Sequence, residues 1–248
     1  NKAKNMTLGE ALGLIRQQKD QSRSRKVFLV CGFQPLHLGS LLQGHLARRF
    51  PDDRADIQTG LYGDLEGNLK LAATSDAEAA AITIEWSDID PRLGLRSAGG
   101  WALSLHADIL DSCRDKLKRL LAGLAALGAR MPVVLSPPTL PYSVIGHTPG
   151  AQSSVIELEL GSLLAGFLVE AGRLDRVSVL KPNSLGIADD VASRLDASME
   201  LRAGFPYTVP HASAIASQMV KLLYPASPMK GLITDLDDTF WSGIVGEV

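Results

Sequence analysis

The 248-residue sequence is 46% hydrophobic and 21% charged, which fits an ordinary globular protein with room for one large α/β domain or two small ones. Its formal net charge of −2 offers no basic footprint for nucleic acid, and no run of about 18 apolar residues is present to span a bilayer. The stretch Asn1 to Lys26 has charges on both sides of a short amphipathic segment, unlike a signal peptide, and Cys31 and Cys113 form no CxxC pair, so a reduced, cytoplasmic setting is expected.

In chain order, Thr7-Leu8-Gly9-Glu10 matches a capping box, and Leu8, Leu12 and Ile15 share one helical face, so a lead-in helix is expected from Leu8 to Gln18. Residues 19–26 are polar and basic and read as a linker. Lys26 to Cys31 is a buried-type strand, Gly32-Phe33-Gln34-Pro35 breaks it, and helical periodicity runs from Leu36 to Phe50. Further strands are predicted over Arg54–Thr59, Ala79–Trp86, Met131–Leu135 and Asp175–Leu180. Between and after them, helices are predicted following Gly63-Asp64 and over Trp101–Gly128, Ser153–Gly172, Ile187–Leu195 and Pro210–Leu223. Strands alternating with helices point to a parallel sheet in three layers, an α/β/α fold behind a short N-terminal helix. Tyr224-Pro225-Ala226-Ser227-Pro228 is a proline-stiffened boundary. The domains expected are a helix and linker over 1–24, an α/β domain over 25–225, and the start of a second domain over 229–248.

The final stretch carries the most specific chemistry. The apolar run Gly231-Leu232-Ile233-Thr234 leads into Asp235-Leu236-Asp237-Asp238-Thr239. A short strand ending in carboxylates spaced i, i+2 delivers both to one sheet edge, where open α/β sheets bind ligands. Such a pair can share a hard cation such as Mg²⁺ through oxygen ligands, or one member can attack a phosphorus centre.

These residues resemble motif I, D-x-D-x-T, of the haloacid-dehalogenase superfamily. The continuation Phe240-Trp241-Ser242-Gly243-Ile244-Val245-Gly246-Glu247 resembles the signature of its FkbH-like branch, with Asp238 in place of the usual Asn and Phe240 in place of the usual Leu. The resemblance implies Asp235 as nucleophile and metal ligand, Asp237 as general acid/base and metal ligand, Thr239 as a phosphate contact, and Mg²⁺ as cofactor. It also implies a phosphorylated three-carbon substrate and an acyl carrier protein as partner, the enzyme loading a phosphoglycerate-derived unit in secondary metabolism. The sequence ends nine residues after Thr239, so the later motifs of that superfamily are expected in a longer parent.

Residues 25–225 resemble the SGNH-hydrolase layout, itself flavodoxin-like. A first strand ends at Gly32, glycines follow a second at Gly60 and Gly63, Glu85 to Asp88 close a third, and His211 opens a late helix. The departures are chemical. Phe33 and Gln34 stand where the nucleophilic Ser would follow Gly32, and Thr208 replaces the acid that would orient the imidazole. The layout would gather Gln34, Gly63, Glu85, Ser87, Asp88, Arg92 and His211 at one sheet edge. There Gly63 could offer a backbone N–H to an oxyanion, and Arg92 and Arg96 could fork onto a phosphate or carboxylate. The plainer readings are a loop-holding salt bridge between Asp88 and Arg92 and a His211 without chemistry. The expected role of the domain is non-hydrolytic recognition of the carrier or its cargo; the alternative is a cryptic SGNH-type esterase or acyltransferase. His147, in the Gly/Pro-rich loop after Leu140, belongs to a candidate lid, the equal alternative being an ordinary connection.

Overall fold

A computed structural model describes residues 5–18, 23–97, 103–140, 154–181, 185 and 191–225. Among them, five strands pair in parallel: β1 (Ser24–Val30), β2 (Arg54–Thr59), β3 (Ala79–Thr83), β4 (Val133–Ser136) and β5 (Val177–Val179), in the order β2-β1-β3-β4-β5. The helices are α1 (Leu8–Gln17), α2 (Leu36–Arg49), α3 (Leu65–Thr74), α4 (Trp86–Ile89), α5 (His106–Arg130), α6 (Val155–Gly172), α7 (Val191–Arg194), α8 (Ala197–Ala203) and α9 (Val209–Leu223).

The two-residue alternation of the strands divides the interior in two. Val27, Leu29, Ala79, Ala81 and Val134 face α1, α2 and α9, while Phe28, Val30, Ala80, Ile82 and Leu135 face α3, α5 and α6. A sheet covered on both faces needs continuous apolar strands, and β3 and β4 are buried at every position. The result is the three-layer α/β/α fold expected from the sequence, with the flavodoxin-like strand order. In α5, Ile109, Cys113, Leu117, Leu120, Leu124 and Leu127 recur every three or four residues as one buried stripe. Cys31 and Cys113 are both free thiols, one in each core.

Several boundaries differ from the expected ones for local reasons. The third strand stops at Thr83 rather than Trp86, because the Asp88 carboxylate accepts the Glu85 N–H at 2.9 Å and turns the chain into α4. The predicted helix over Trp101–Gly128 begins at His106 and runs on to Arg130. Helix α8 was not expected; Asp196 caps its start by accepting the Met199 N–H at 2.9 Å, and Gly204 ends it at φ 68°. The capping box of α1 is present, with Thr7 Oγ1 accepting the Glu10 N–H at 3.2 Å and Glu10 Oε2 accepting the Thr7 N–H at 2.8 Å.

Helix α1 lies so close to α2 that a Cβ on Gly44 would sit 2.6 Å from Ala11 Cβ and 2.8 Å from its Cα. Gly13 on α1, by contrast, has nothing within 4 Å of such a carbon. Both glycines lose about 1 kcal/mol of helix propensity relative to alanine. Gly13→Ala is therefore expected to raise stability by up to ~1 kcal/mol. Gly44→Ala is expected to lower it, because overpacking against backbone costs about 1–3 kcal/mol and outweighs the propensity gain. Urea unfolding of the two variants reads the sign directly; a stabilised Gly44→Ala protein would mean that α1 is not docked here.

Candidate functional site

The chain leaves β1 for β2 on one side and returns to β3 on the other, so a crevice opens beyond the carboxyl ends of β1 and β3, the usual ligand position in open α/β sheets. Three loops meet there. Gly32 ends β1, and its carbonyl accepts the Gly63 N–H at 2.7 Å. No side chain fits at residue 32, since a Cβ would lie 2.0 Å from Asp88 Oδ1. The resulting cleft has a volume of about 420 Å³, and Phe33, Gly63, Ser87, Asp88, Lys116 and Arg119 are among its walls. Arg96 and Glu200 also line it.

Its charges come in pairs. Lys116 Nζ lies 2.7 Å and Arg119 Nε 3.2 Å from Glu66 Oε1, and these two cations hold the Glu66 carboxyl below its usual range. Arg96 Nε lies 3.3 Å from Glu200 Oε1, and its Nη2 donates to the Glu200 and Leu201 carbonyls. Asp88 is half-buried, its carboxyl set against Gly32. Burial pushes that carboxyl up to about 7; the charges of Glu85 and Glu200 push the same way, and the Glu85 N–H and Lys116 oppose.

Behind Ser87 is a smaller space of about 40 Å³, bordered by Glu85, Leu140, Leu195, Glu200 and Pro206. Glu85 is only 3% exposed and accepts four hydrogen bonds. Its Oε1 takes the Thr139 N–H at 3.1 Å, the Thr139 hydroxyl at 2.9 Å and the Tyr207 hydroxyl at 2.7 Å, and its Oε2 takes the Leu140 N–H at 3.2 Å. Burial still lifts this carboxyl to about 7 against those donors. Thr139 Oγ1 also lies 2.8 Å from His211 Nε2. With the one hydroxyl proton of Thr139 directed to Glu85, Nε2–H must donate and Nδ1 is left as the acceptor. Among the described residues Nδ1 has no hydrogen-bond partner. His211 is 0% exposed, and burial takes it down to about 4, Arg194 adding to the effect.

Of the residues singled out from sequence, Gly63, Ser87, Asp88 and Arg96 share the cleft, and Glu85 borders the smaller space with Ser87. Gln34, Arg92 and His211 are not among the lining residues. Gln34 gives its backbone N–H to Gly204 O at 2.9 Å, and the Gly63 N–H considered for an oxyanion is already donated to Gly32. Arg92 forks onto Asp90, at 2.9 and 2.6 Å, and reaches Asp108 at 2.6 Å, so its salt bridges are with those acids and not with Asp88. Thr208 caps α9, accepting the His211 N–H at 3.3 Å. Asp235, Asp237, Thr239 and His147 lie outside the described residues.

The sequence reading did not single out Lys116, Arg119, Glu200, Thr139 or Tyr207. Lys116 and Arg119 are one turn apart on α5, a spacing visible in the sequence, but their proximity to the sheet edge comes only from packing. Among the described residues, no group of three or more His, Cys, Asp or Glu side chains could hold a metal ion. Likewise no described helix is long and apolar enough to cross a membrane.

No protein-family model matches the sequence, and no curated protein does. Among solved structures, the chain is similar to the N-terminal part of the protein BF1531 from Bacteroides fragilis, containing a phosphatase domain and complexed with Mg. The TM-score is 0.65 at 17% identity, over 98% of this chain and 63% of that one. The chain thus spans under two thirds of that structure, and the likeness is one of fold. Salicylyl-acyltransferase SsfX3 from a tetracycline biosynthetic pathway aligns at a TM-score of 0.43 and 11% identity, over 83% of this chain and 55% of that one, too faint a likeness to carry an argument.

The raised carboxyl of Asp88 makes a stability prediction. Between its ordinary 3.8 and about 7 the unfolded chain is ionised while the folded one keeps the proton, so this group's contribution falls as pH rises through that window. The lowered His211 acts in the opposite sense, adding stability as pH rises from about 4 to its ordinary 6.5. Asp88→Asn is therefore expected to gain stability relative to the parent protein from pH 4 to 7, with a constant difference above. Thermal melts of both proteins at matched pH check this; curves that stay parallel would contradict the assigned shift.

Proposed function

We propose that residues 25–225 form a non-hydrolytic ligand-recognition domain of a longer, magnesium-dependent phosphoryl-handling enzyme of the FkbH-like kind. The observation that carries the recognition role is the position of His211. The one imidazole that the hydrolase layout would use as base is 0% exposed, is committed to Thr139, and does not border the cleft. No hydroxyl follows Gly32 either, since Phe33 and Gln34 occupy those positions. A cleft with charged and hydroxyl groups but without the histidine base and serine nucleophile of that layout is suited to binding rather than to acyl transfer.

The chemistry of the parent rests on the motif from Asp235 to Thr239 and on its resemblance to the dehalogenase superfamily. The all-oxygen donors of Asp235 and Asp237 suit Mg²⁺, which when bound would neutralise phosphoryl charge. In this reading the Asp235 carboxylate attacks phosphorus and displaces the leaving oxygen, which Asp237 protonates; Asp237 then takes a proton from the water that releases phosphate from Asp235. The fold likeness to a magnesium-complexed protein part containing a phosphatase domain supports this context. The substrate proposed is a phosphorylated three-carbon acid, and the partner an acyl carrier protein that receives the unit.

Phosphate release from acyl phosphates with Mg²⁺ tests both halves. It is expected only when the chain is extended by a complete phosphatase domain, and Asp235→Asn should reduce it at least a thousandfold, to background, as loss of a nucleophile does. The 248-residue chain should hydrolyse no generic acyl ester. Ester turnover by that chain, lost in His211→Ala, would overturn the recognition reading in favour of an esterase.

A further inference from the structure

Resting on the recognition reading, we infer that the cleft beyond β1 and β3 takes a phosphate ester whose chain carries a hydroxyl or amide N–H donor, with the phosphate at Lys116 and Arg119 and the donor at Glu200. The two ends of the cleft differ in what they lack. At one end, two cations converge on the single carboxylate of Glu66. One carboxylate balances one of them, so a positive charge is left over beside the opening, offset in part when the neighbouring Asp88 is ionised, and the Arg119 side chain is half exposed to meet a ligand there. A guanidinium fork next to an ammonium matches the several oxygens of a phosphate better than the two of a carboxylate.

The other end lacks a donor. Arg96 takes Glu200 Oε1, but among the described residues no donor reaches the buried Oε2. A buried carboxylate oxygen without a partner is costly, and Glu200 borders both the cleft and the smaller space behind it. A ligand O–H or N–H would satisfy that oxygen once the side chain turns it toward the cleft. Asp88 lines the same cleft as Lys116 and Glu200.

The cleft has room for more than a lone anion. At about 420 Å³ the cleft falls in the usual range for small-molecule sites, roughly 300–1,000 Å³, and far exceeds the share of one phosphate ion. The same chemistry could arrive as a free phosphorylated polyol or as a phosphorylated, amide-bearing arm of a carrier.

Titration calorimetry on the 248-residue chain separates these sources, with glycerol 3-phosphate against glycerol and pantetheine 4′-phosphate against pantetheine as probes. In at least one pair the phosphorylated member should bind about tenfold tighter or more, the scale of a charge-assisted contact. The tighter pair identifies the source. Lys116→Met should erase most of that ratio. Glu66→Gln should enlarge it by freeing both cations, an opposite shift that a misfolded variant cannot imitate. Glu200→Gln should weaken binding of the unphosphorylated member of a pair, which has only the donor contact to lose. Equal binding with and without phosphate, or a ratio indifferent to Glu66→Gln, would overturn the inference while leaving the recognition reading intact. Binding of none of the four probes would also overturn it, and if accompanied by ester turnover would overturn the recognition reading as well.

Discussion

The carboxylate of Glu85 is the tie on which the ligand-facing edge of the sheet depends. It receives four hydrogen bonds from two segments distant in sequence, the turn after β4 and the stretch before α9. Its own N–H closes the α4 turn through Asp88. One side chain thus fixes the β3, β4 and α9 walls relative to each other. Burying an acid is unfavourable, and four donors offset that cost only in part, as the upward shift to about 7 records. The donors belong to rigid neighbours: Thr139 and Leu140 give backbone N–H groups, and Tyr207 is 1% exposed. Oε1 shares three donors, whereas Oε2 has the Leu140 N–H alone, and losing that one would leave a buried acceptor without its partner, the expensive case in a low-dielectric interior.

That tie also accounts for the state of His211. Thr139 uses its proton on Glu85 and its lone pair on the imidazole, so the histidine is held as a neutral donor inside the protein. Around it the positions of a catalytic edge are filled by packing. Phe33 meets Tyr207 edge to face with ring centroids 5.2 Å apart, Tyr207 meets His211 at 5.2 Å, and His37 meets Phe205 at 5.3 Å. Edge-to-face aromatic pairs add about 0.5–1.5 kcal/mol each beyond area burial, and His211 is 0% exposed beside them.

What could be read from the sequence follows from the range of the interactions involved. The strands and the long helices announce themselves by period, because Lys26 to Cys31 and Leu36 to Phe50 carry their burial pattern locally. Helix α8 was not found: Asp196 and Gly204 mark its ends, but it has no buried residue and so no apolar stripe to reveal it. Nor was the end of β3, since Glu85 and Trp86 look strand-like until Asp88 turns back on the chain. Of the cleft, Gly63, Ser87 and Asp88 follow strand ends and could be named from topology alone. Lys116 and Arg119 could not, because they reach the edge from the middle of a helix, and only the packing of α3 against α5 brings Glu66 to them.

The pairing of charges around the cleft has a consequence for how a ligand can enter. Lys116 and Arg119 held on Glu66, and Arg96 held on Glu200, leave each group with a partner in the free protein. A ligand anion then need not replace the protein's own carboxylate. It adds to a site already oriented by it, and the side-chain entropy of two long cations has been lost on folding rather than on binding. The same carboxylate sets the limit, because it draws part of the field that would otherwise attract the ligand. Affinity and order at this end of the cleft are therefore opposed through Glu66, whose strength of pairing decides how much positive charge faces the opening.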